Sequence, residues 1–169
     1  MPVFMTRKEL DEYGDDLDAE RGRILKNKYL PLMRPFPDVR ALLERVRADG
    51  KQVALASSAT RDDLATYKKI ANIEDLVDVE TSSDDAKRSK PHPDIFQAAL
   101  DRLGSVRADR TIAVGDTPFD AEAAAKAGIR TIGMLCGGWS KDDLTRAGCI
   151  AVFKHPADLL ALYESSPLA

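Results

Sequence analysis

The chain has 169 residues, of which 44% are hydrophobic and 31% charged, enough apolar content for a globular core and too much for a disordered chain. The net charge of −3 comes with no basic block or stripe, which excludes a nucleic-acid footprint, and no apolar run reaches membrane-spanning length. The length favours one domain, or one domain with a small appendage. The N-terminus lacks a secretory apolar segment, and Cys136 and Cys149 form neither a CxxC pair nor a metal-binding spacing. A reduced, cytoplasmic location is the expectation, with no membrane and no nucleic acid as partner.

Residues 1–35 differ in texture from the rest. Thr6 followed by Glu9 is a capping box, opening a helix with Leu10, Leu17 and Ile24 at heptad spacing. Acidic residues fill its first half and basic ones its second, the order the helix dipole favours. Gly14 and Gly22 are the places where it would divide in two. Pro31, Pro35 and Pro37 then break the pattern, as a linker or hinge does.

From Asp38 onward the chain alternates. Val39, Leu42, Leu43 and Val46 mark a helix that Gly50 ends. Residues 52–56 read as a strand, 61–71 as a helix and 77–80 as a second strand. Phe96, Ala99, Leu100 and Leu103 mark a helix stopped by Gly104. Residues 111–115 and 131–135 are strands, with an alanine-rich helix, residues 120–127, between them. Ser140 caps a short helix around Leu144, residues 150–153 form an edge strand, and Pro156 starts the last helix. Strands alternating with helices predict an α/β fold: a three-layer, doubly wound parallel sheet with right-handed crossovers.

The carboxyl ends of parallel strands share one rim, and in open α/β sheets ligands bind there. After the first strand stand Ser57, Ser58 and Arg61. After the second comes Lys90-Pro91-His92-Pro93-Asp94 at the head of a helix. After the third come Asp116 and Asp120. Hydroxyls and amides at a helix N-terminus suit phosphate oxygens, a rooted lysine neutralises a phosphoryl group, and a carboxylate pair suits Mg2+. Singly, Ser57 and Ser58 read equally as helix caps, Asp120 as a capping residue and Lys90 as a solvated charge. Their joint order at successive strand ends is what points to phosphate chemistry. His92 and His155 read as structural or surface groups, and Trp139, after Gly137-Gly138, as a cover over apolar surface in a helix-entry loop, with lining of the site entrance as the alternative.

Three stretches carry a resemblance: Ala54-Leu55-Ala56-Ser57-Ser58-Ala59-Thr60, Lys90-Pro91-His92-Pro93-Asp94-Ile95-Phe96, and Val114-Gly115-Asp116-Thr117-Pro118-Phe119-Asp120. They resemble the second, third and fourth motifs of the haloacid dehalogenase superfamily, in its phosphoglycolate phosphatase and beta-phosphoglucomutase branch. The resemblance implies a Rossmann-like core over residues 36–169 and a remnant of a helical cap over residues 1–35. By it, Ser57 would bind the transferring phosphoryl group and Lys90 would neutralise nucleophile and phosphate. Ser58 and Arg61 would contact substrate, and Asp116 would ligate Mg2+ with Asp120 in support. A small phosphorylated metabolite is the implied substrate.

That family's first motif, a strand ending in Asp-x-Asp-Gly-Thr with the nucleophile, has no counterpart in these 169 residues. The early Asp16-Leu17-Asp18 has no apolar strand before it and no Gly-Thr after it. The chain resembles a family member that begins inside its cap. Two functions follow: a Mg2+-dependent phosphatase, inactive as written, or a non-catalytic phosphate- or partner-binding protein. The family's order would put its first strand between residues 52–56 and 111–115. The expectation is that those two strands pair directly, or that residues 2–5 or a strand of a second copy fill the place, making a homo-oligomer possible.

Overall fold

The structure, a computed structural model, describes residues 6–169. It forms two compact units, Met1–Arg34 and Pro35–Ala169. In the first, helix α1 (Arg7–Ile24) starts at Thr6, whose Oγ1 accepts from the Glu9 amide while the Glu9 carboxylate accepts from the Thr6 amide. The helix does not divide at Gly14 or Gly22. It runs on into a π turn (Leu25–Tyr29) and a 3-10 turn (Leu30–Leu32). A helical glycine costs only about 1 kcal/mol relative to alanine, and Asp18–Arg21 and Glu20–Arg23 ion pairs brace the turns around Gly22. Asp16 and Asp18 are exposed on this helix, far in character from a rigid strand end.

The second unit begins with α2 (Val39–Ala48), whose core-facing Leu42 is buried. Then come β1 (Ala54–Ala56), α3 (Arg61–Ala71), β2 (Val79–Thr81) and α4 (Asp94–Leu103). The order continues with β3 (Ile112–Gly115), α5 (Pro118–Lys126), β4 (Arg130–Met134), α6 (Lys141–Arg146), β5 (Cys149–Phe153) and α7 (Pro156–Ala161). Helix ends follow their chemistry: Thr60, Thr117 and Ser140 cap α3, α5 and α6 through their hydroxyls. Gly104 and Gly128 take positive φ just beyond α4 and α5. His155, expected at the surface, caps α7 through Nδ1, which accepts from the Asp158 amide at 3.3 Å.

All strand pairs are parallel, and helices flank them, so the fold is α/β as expected. The sheet is not continuous, however. β1 pairs with β2, and β3–β4–β5 form a separate ladder. The direct pairing of β1 with β3 expected from the sequence is therefore not what the chain adopts. Residues 2–5, the alternative filler, lie outside the described residues. Side chains hold the halves together instead. Ala56 of β1 packs on a cluster of Ile95 and Phe96 from α4, Ala113 from β3, Ala123 and Ala124 from α5, and Ile129. α4 thus packs against residues of both ladders. Val114 of β3 remains 48% exposed, the mark of a strand whose surroundings are open. A second core joins Leu42 to Ile132, Met134, Leu159 and Tyr163. Among the described residues, no helix is long and apolar enough to cross a membrane.

Candidate active site

The rim is built at the ends of β1 and β3. β3 ends in Gly115, and a Cβ placed there would fall 2.4 Å from the Asp120 Cβ. Glycine is what lets the first turn of α5 fold back over the strand end. Pro118 then starts the helix, and Thr117 and Asp120 close a capping box: the Thr117 hydroxyl accepts from the Asp120 amide at 3.2 Å. Asp120 Oδ2 accepts in turn from the Asp116 and Thr117 amides at 3.2 and 3.0 Å and from the Thr117 hydroxyl at 2.8 Å.

Asp120 Oδ1 accepts from Lys90 Nζ at 2.8 Å, and the same ammonium donates to the Ala56 carbonyl at 2.9 Å. Lys90 therefore ties the end of β1 to the end of β3. Its charge also lies 5.2 Å from the centre of the Phe96 ring. Burial pushes the Asp120 carboxyl up, but the Lys90 charge and the bonds from Lys90 and Thr117 outweigh it and leave the group below the usual range.

Asp116 is the opposite case. No ion pair or side-chain hydrogen bond to its carboxylate is found among the described residues, and burial, then the charge of Asp120, push it up. A half-buried carboxylate that resists ionisation is a place where a cation is welcome. The turn Leu135–Gly137 packs against it: a Cβ on Gly137 would lie 2.2 Å from the Asp116 carbonyl oxygen and 2.8 Å from its Cγ. Burial and then the Asp116 charge raise the Cys136 thiol, so it stays protonated at neutral pH.

Ser57 and Ser58 join Lys90 in a small hollow, about 30 Å³, lined also by Ser83, Arg88 and Ser89. Ser57 Oγ accepts from the Ala59 amide at 3.1 Å in a local turn, while the helix cap is Thr60. Arg88 carries a two-point bond to Asp94 at 3.3 and 2.9 Å. Ser89 and Arg88 escaped the sequence reading because residues 86–89 are irregular and carry no periodicity. The only available signal was their adjacency to Lys90.

Arg61 is not brought to this hollow. Its guanidinium lies 3.7 Å from Asp85 and lines a different cavity, about 260 Å³, with Ser82, Glu80 and Arg102. There Arg102 holds Asp85 at 2.5 Å. The structure thus does not bring Arg61 together with Ser58 and Lys90: α3 starts at Arg61, and its guanidinium lies beside Asp85.

As a metal centre, the rim supplies one free carboxylate, Asp116, and one engaged carboxylate, Asp120. Among the described residues no group of three or more His, Cys, Asp or Glu side chains is placed to hold a metal ion. The donor set fits a hard cation that keeps most of its own waters, as Mg2+ does.

The family model described as haloacid dehalogenase-like hydrolase matches residues 6–134. A phosphorylated carbohydrates phosphatase of Thermotoga maritima is 29% identical over 168 residues, covering 97% of this chain and 76% of that protein. The pyrophosphatase PpaX of Bacillus pumilus is 29% identical over 138 residues, and there this chain spans 60% of the relative's length. A hydrolase from Pseudomonas syringae superposes with a TM-score of 0.80 at 24% identity, over 97% of this chain and 73% of that one, a likeness of fold.

Proposed function

Since the chain belongs to the haloacid dehalogenase-like hydrolase family, we propose that its rim binds the phosphoryl group of a small organic phosphomonoester together with Mg2+, as part of a phosphatase site. The observation that carries this reading is Lys90, whose ammonium links the end of β1 to Asp120 beside the free Asp116 carboxylate. The relatives named for cleaving phosphorylated carbohydrates and pyrophosphate act on phosphoryl groups, which supports the same chemistry here.

In this reading Ser57 and Ser58 bind phosphoryl oxygens by their hydroxyls, and Lys90 supplies a fixed positive charge that water cannot replace. Asp120 is a positioning residue: it holds Lys90 and clamps the 116–117 backbone, with Oδ2 already saturated by three donors. Asp116 would hold the Mg2+, which when bound supplies charge neutralisation at the phosphoryl oxygens. Calorimetric titration of the chain with inorganic phosphate in Mg2+ tests the reading. Binding that Lys90→Met abolishes supports it; no binding, or binding indifferent to Lys90, overturns it.

Three further outcomes are expected of these 169 residues. The chain turns over no p-nitrophenyl phosphate with Mg2+, because no carboxylate on the rim is free to attack phosphorus except the proposed metal ligand. Turnover by purified protein that Lys90→Ala removes would refute this. Mg2+ binds no tighter than the millimolar range, since one free carboxylate leaves the ion mostly hydrated. Because Asp116 takes its proton more readily in the fold than unfolded, stability falls as pH rises from the unfolded carboxylate value to the raised one. Asp116→Asn removes that fall and is more stable at pH 7. Micromolar Mg2+ binding lost in Asp116→Asn would refute the weak-binding expectation, and a pH profile unchanged by the substitution would refute the raised Asp116 carboxyl.

A further inference from the structure

Helix α1 and the π turn that extends it carry two patterns that the phosphate reading leaves unused. The first is apolar. Tyr13, Leu17 and Ile24 fall within about 40° of one another around the helix axis, so they line one stripe. All three stay open to water, Tyr13 at 49% and Leu17 and Ile24 at 40% each, and none enters a core cluster among the described residues. Tyr29, 49% exposed, ends the π turn and continues the apolar surface. Large apolar side chains left in water along one stripe of a helix mark an interaction surface. The second pattern is electrostatic. Residues 9–20 hold acidic side chains and no basic one, whereas residues 21–28 hold Arg21, Arg23, Lys26 and Lys28 and no acidic one.

We propose that the chain self-associates through α1, with a second copy of the chain laid antiparallel on the stripe of Tyr13, Leu17 and Ile24. Charge complementarity selects this occupant. Two copies in parallel would set acid against acid and base against base along the whole helix. Antiparallel, with a two-fold axis between Glu20 and Arg21, each acidic half lies along the other copy's basic half. The same register sets Leu17 of each copy opposite Ile24 of the other. It also brings the exposed ion pairs Asp18–Arg21 and Glu20–Arg23 to the axis, where each meets its own copy reversed, acid toward base. From Tyr13 to Tyr29 the contact extends about 24 Å, which places it among small, transient interfaces. The apolar stripe supplies the attraction; the charges fix direction and register, since exposed pairs add little strength.

Sedimentation equilibrium of the whole chain at low salt tests the inference. A monomer–dimer equilibrium is expected, with a dissociation constant on the order of 10–100 µM, weakened at least about threefold when salt is raised to about 0.5 M. Leu17→Asp should weaken the dimer about tenfold or more, because it sets a charge in the apolar contact. Two charge variants test direction: Arg21→Glu with Arg23→Glu, and Asp18→Lys with Glu20→Lys. Each alone should remain monomeric, and an equimolar mixture of the two should dimerise again, since one now presents only acids at the axis and the other only bases. If a charge variant loses its helix by circular dichroism, Leu17→Asp, at an exposed position, decides. A chain monomeric up to about 500 µM, well above that dissociation constant, overturns the inference. So does a dimer indifferent to Leu17→Asp, whose contact lies elsewhere, or a pair of helical charge variants that fails to associate on mixing.

Discussion

Lys90→Met is expected to lower the stability of the chain by roughly 3 kcal/mol and to abolish phosphate binding. Methionine keeps the stem of the side chain, so the packing loss is small. What goes is the ammonium shared by Asp120 and the Ala56 carbonyl. Both charged side chains are largely buried, 17% and 11% exposed, so removing one partner leaves a desolvated carboxylate without its counter-charge. The bonds to Asp120 Oδ2 keep the loss below that of an isolated buried charge. At about 2–4 °C per kcal/mol for a chain of this size, the melting temperature should drop by roughly 6–12 °C.

The pH dependence gives a second readout of the same variant. Asp120 ionises more readily in the fold than in the unfolded chain, so its contribution is present above the unfolded carboxylate value and lost as pH falls through the lowered folded one. Without Lys90, burial is no longer outweighed, so this group's acid loss of stability disappears and the buried carboxylate instead costs stability as pH rises. A variant that melts within a degree of the unaltered chain, with the same acid limb, would show that the Lys90 bridge is incidental.

Gly137→Ala should be the most damaging single methyl in the molecule's turn regions. The added Cβ would lie 2.2 Å from the Asp116 carbonyl oxygen, a backbone atom that cannot swing aside. Either the turn after β4 lifts or Asp116 moves, with overpacking of about 1–3 kcal/mol and a Mg2+ affinity reduced at least about tenfold. The neighbouring Gly138 provides the control. Its φ of +82° makes alanine strained there, but nothing lies within 4 Å of the added Cβ. Gly138→Ala should therefore cost about 1 kcal/mol and leave Mg2+ binding intact. Thermal melts and Mg2+ titrations of the pair decide the matter: equal effects in both variants would mean that close packing on Asp116 is unimportant.

Much of this protein was legible in its sequence because the signals are local. Thr6 with Glu9, Thr117 with Asp120 and Ser140 with Asp143 are capping boxes that need only a few residues of chain to form. Gly104 and Gly128 end their helices by their own conformational freedom. Parallel order then put Ser57, Lys90, Asp116 and Asp120 on one rim, since every strand followed by a helix points its carboxyl end the same way. The alternation of apolar runs and amphipathic helices, and hence the α/β class, followed from the same short-range periodicities.

What the tertiary structure alone decided involves pairs distant in sequence. Whether β1 meets β3 depends on contacts between segments far apart in the chain, which no local pattern near residues 54 or 112 encodes. Arg61 stands beside Ser58 in the chain, yet Asp85, drawn close by the β1–β2 pairing, claims its side chain. Asp120 reads as a metal ligand from its spacing, but Lys90, thirty residues earlier, takes one oxygen and the backbone of its own turn takes the other. Trp139 reads as loop cover until Phe119, twenty residues away, is found against it. A sequence sets which groups can ionise, cap or bend the chain, because those properties belong to single residues and their near neighbours. Which charge finds which partner is settled by burial and close approach, and these exist only once distant segments have packed together.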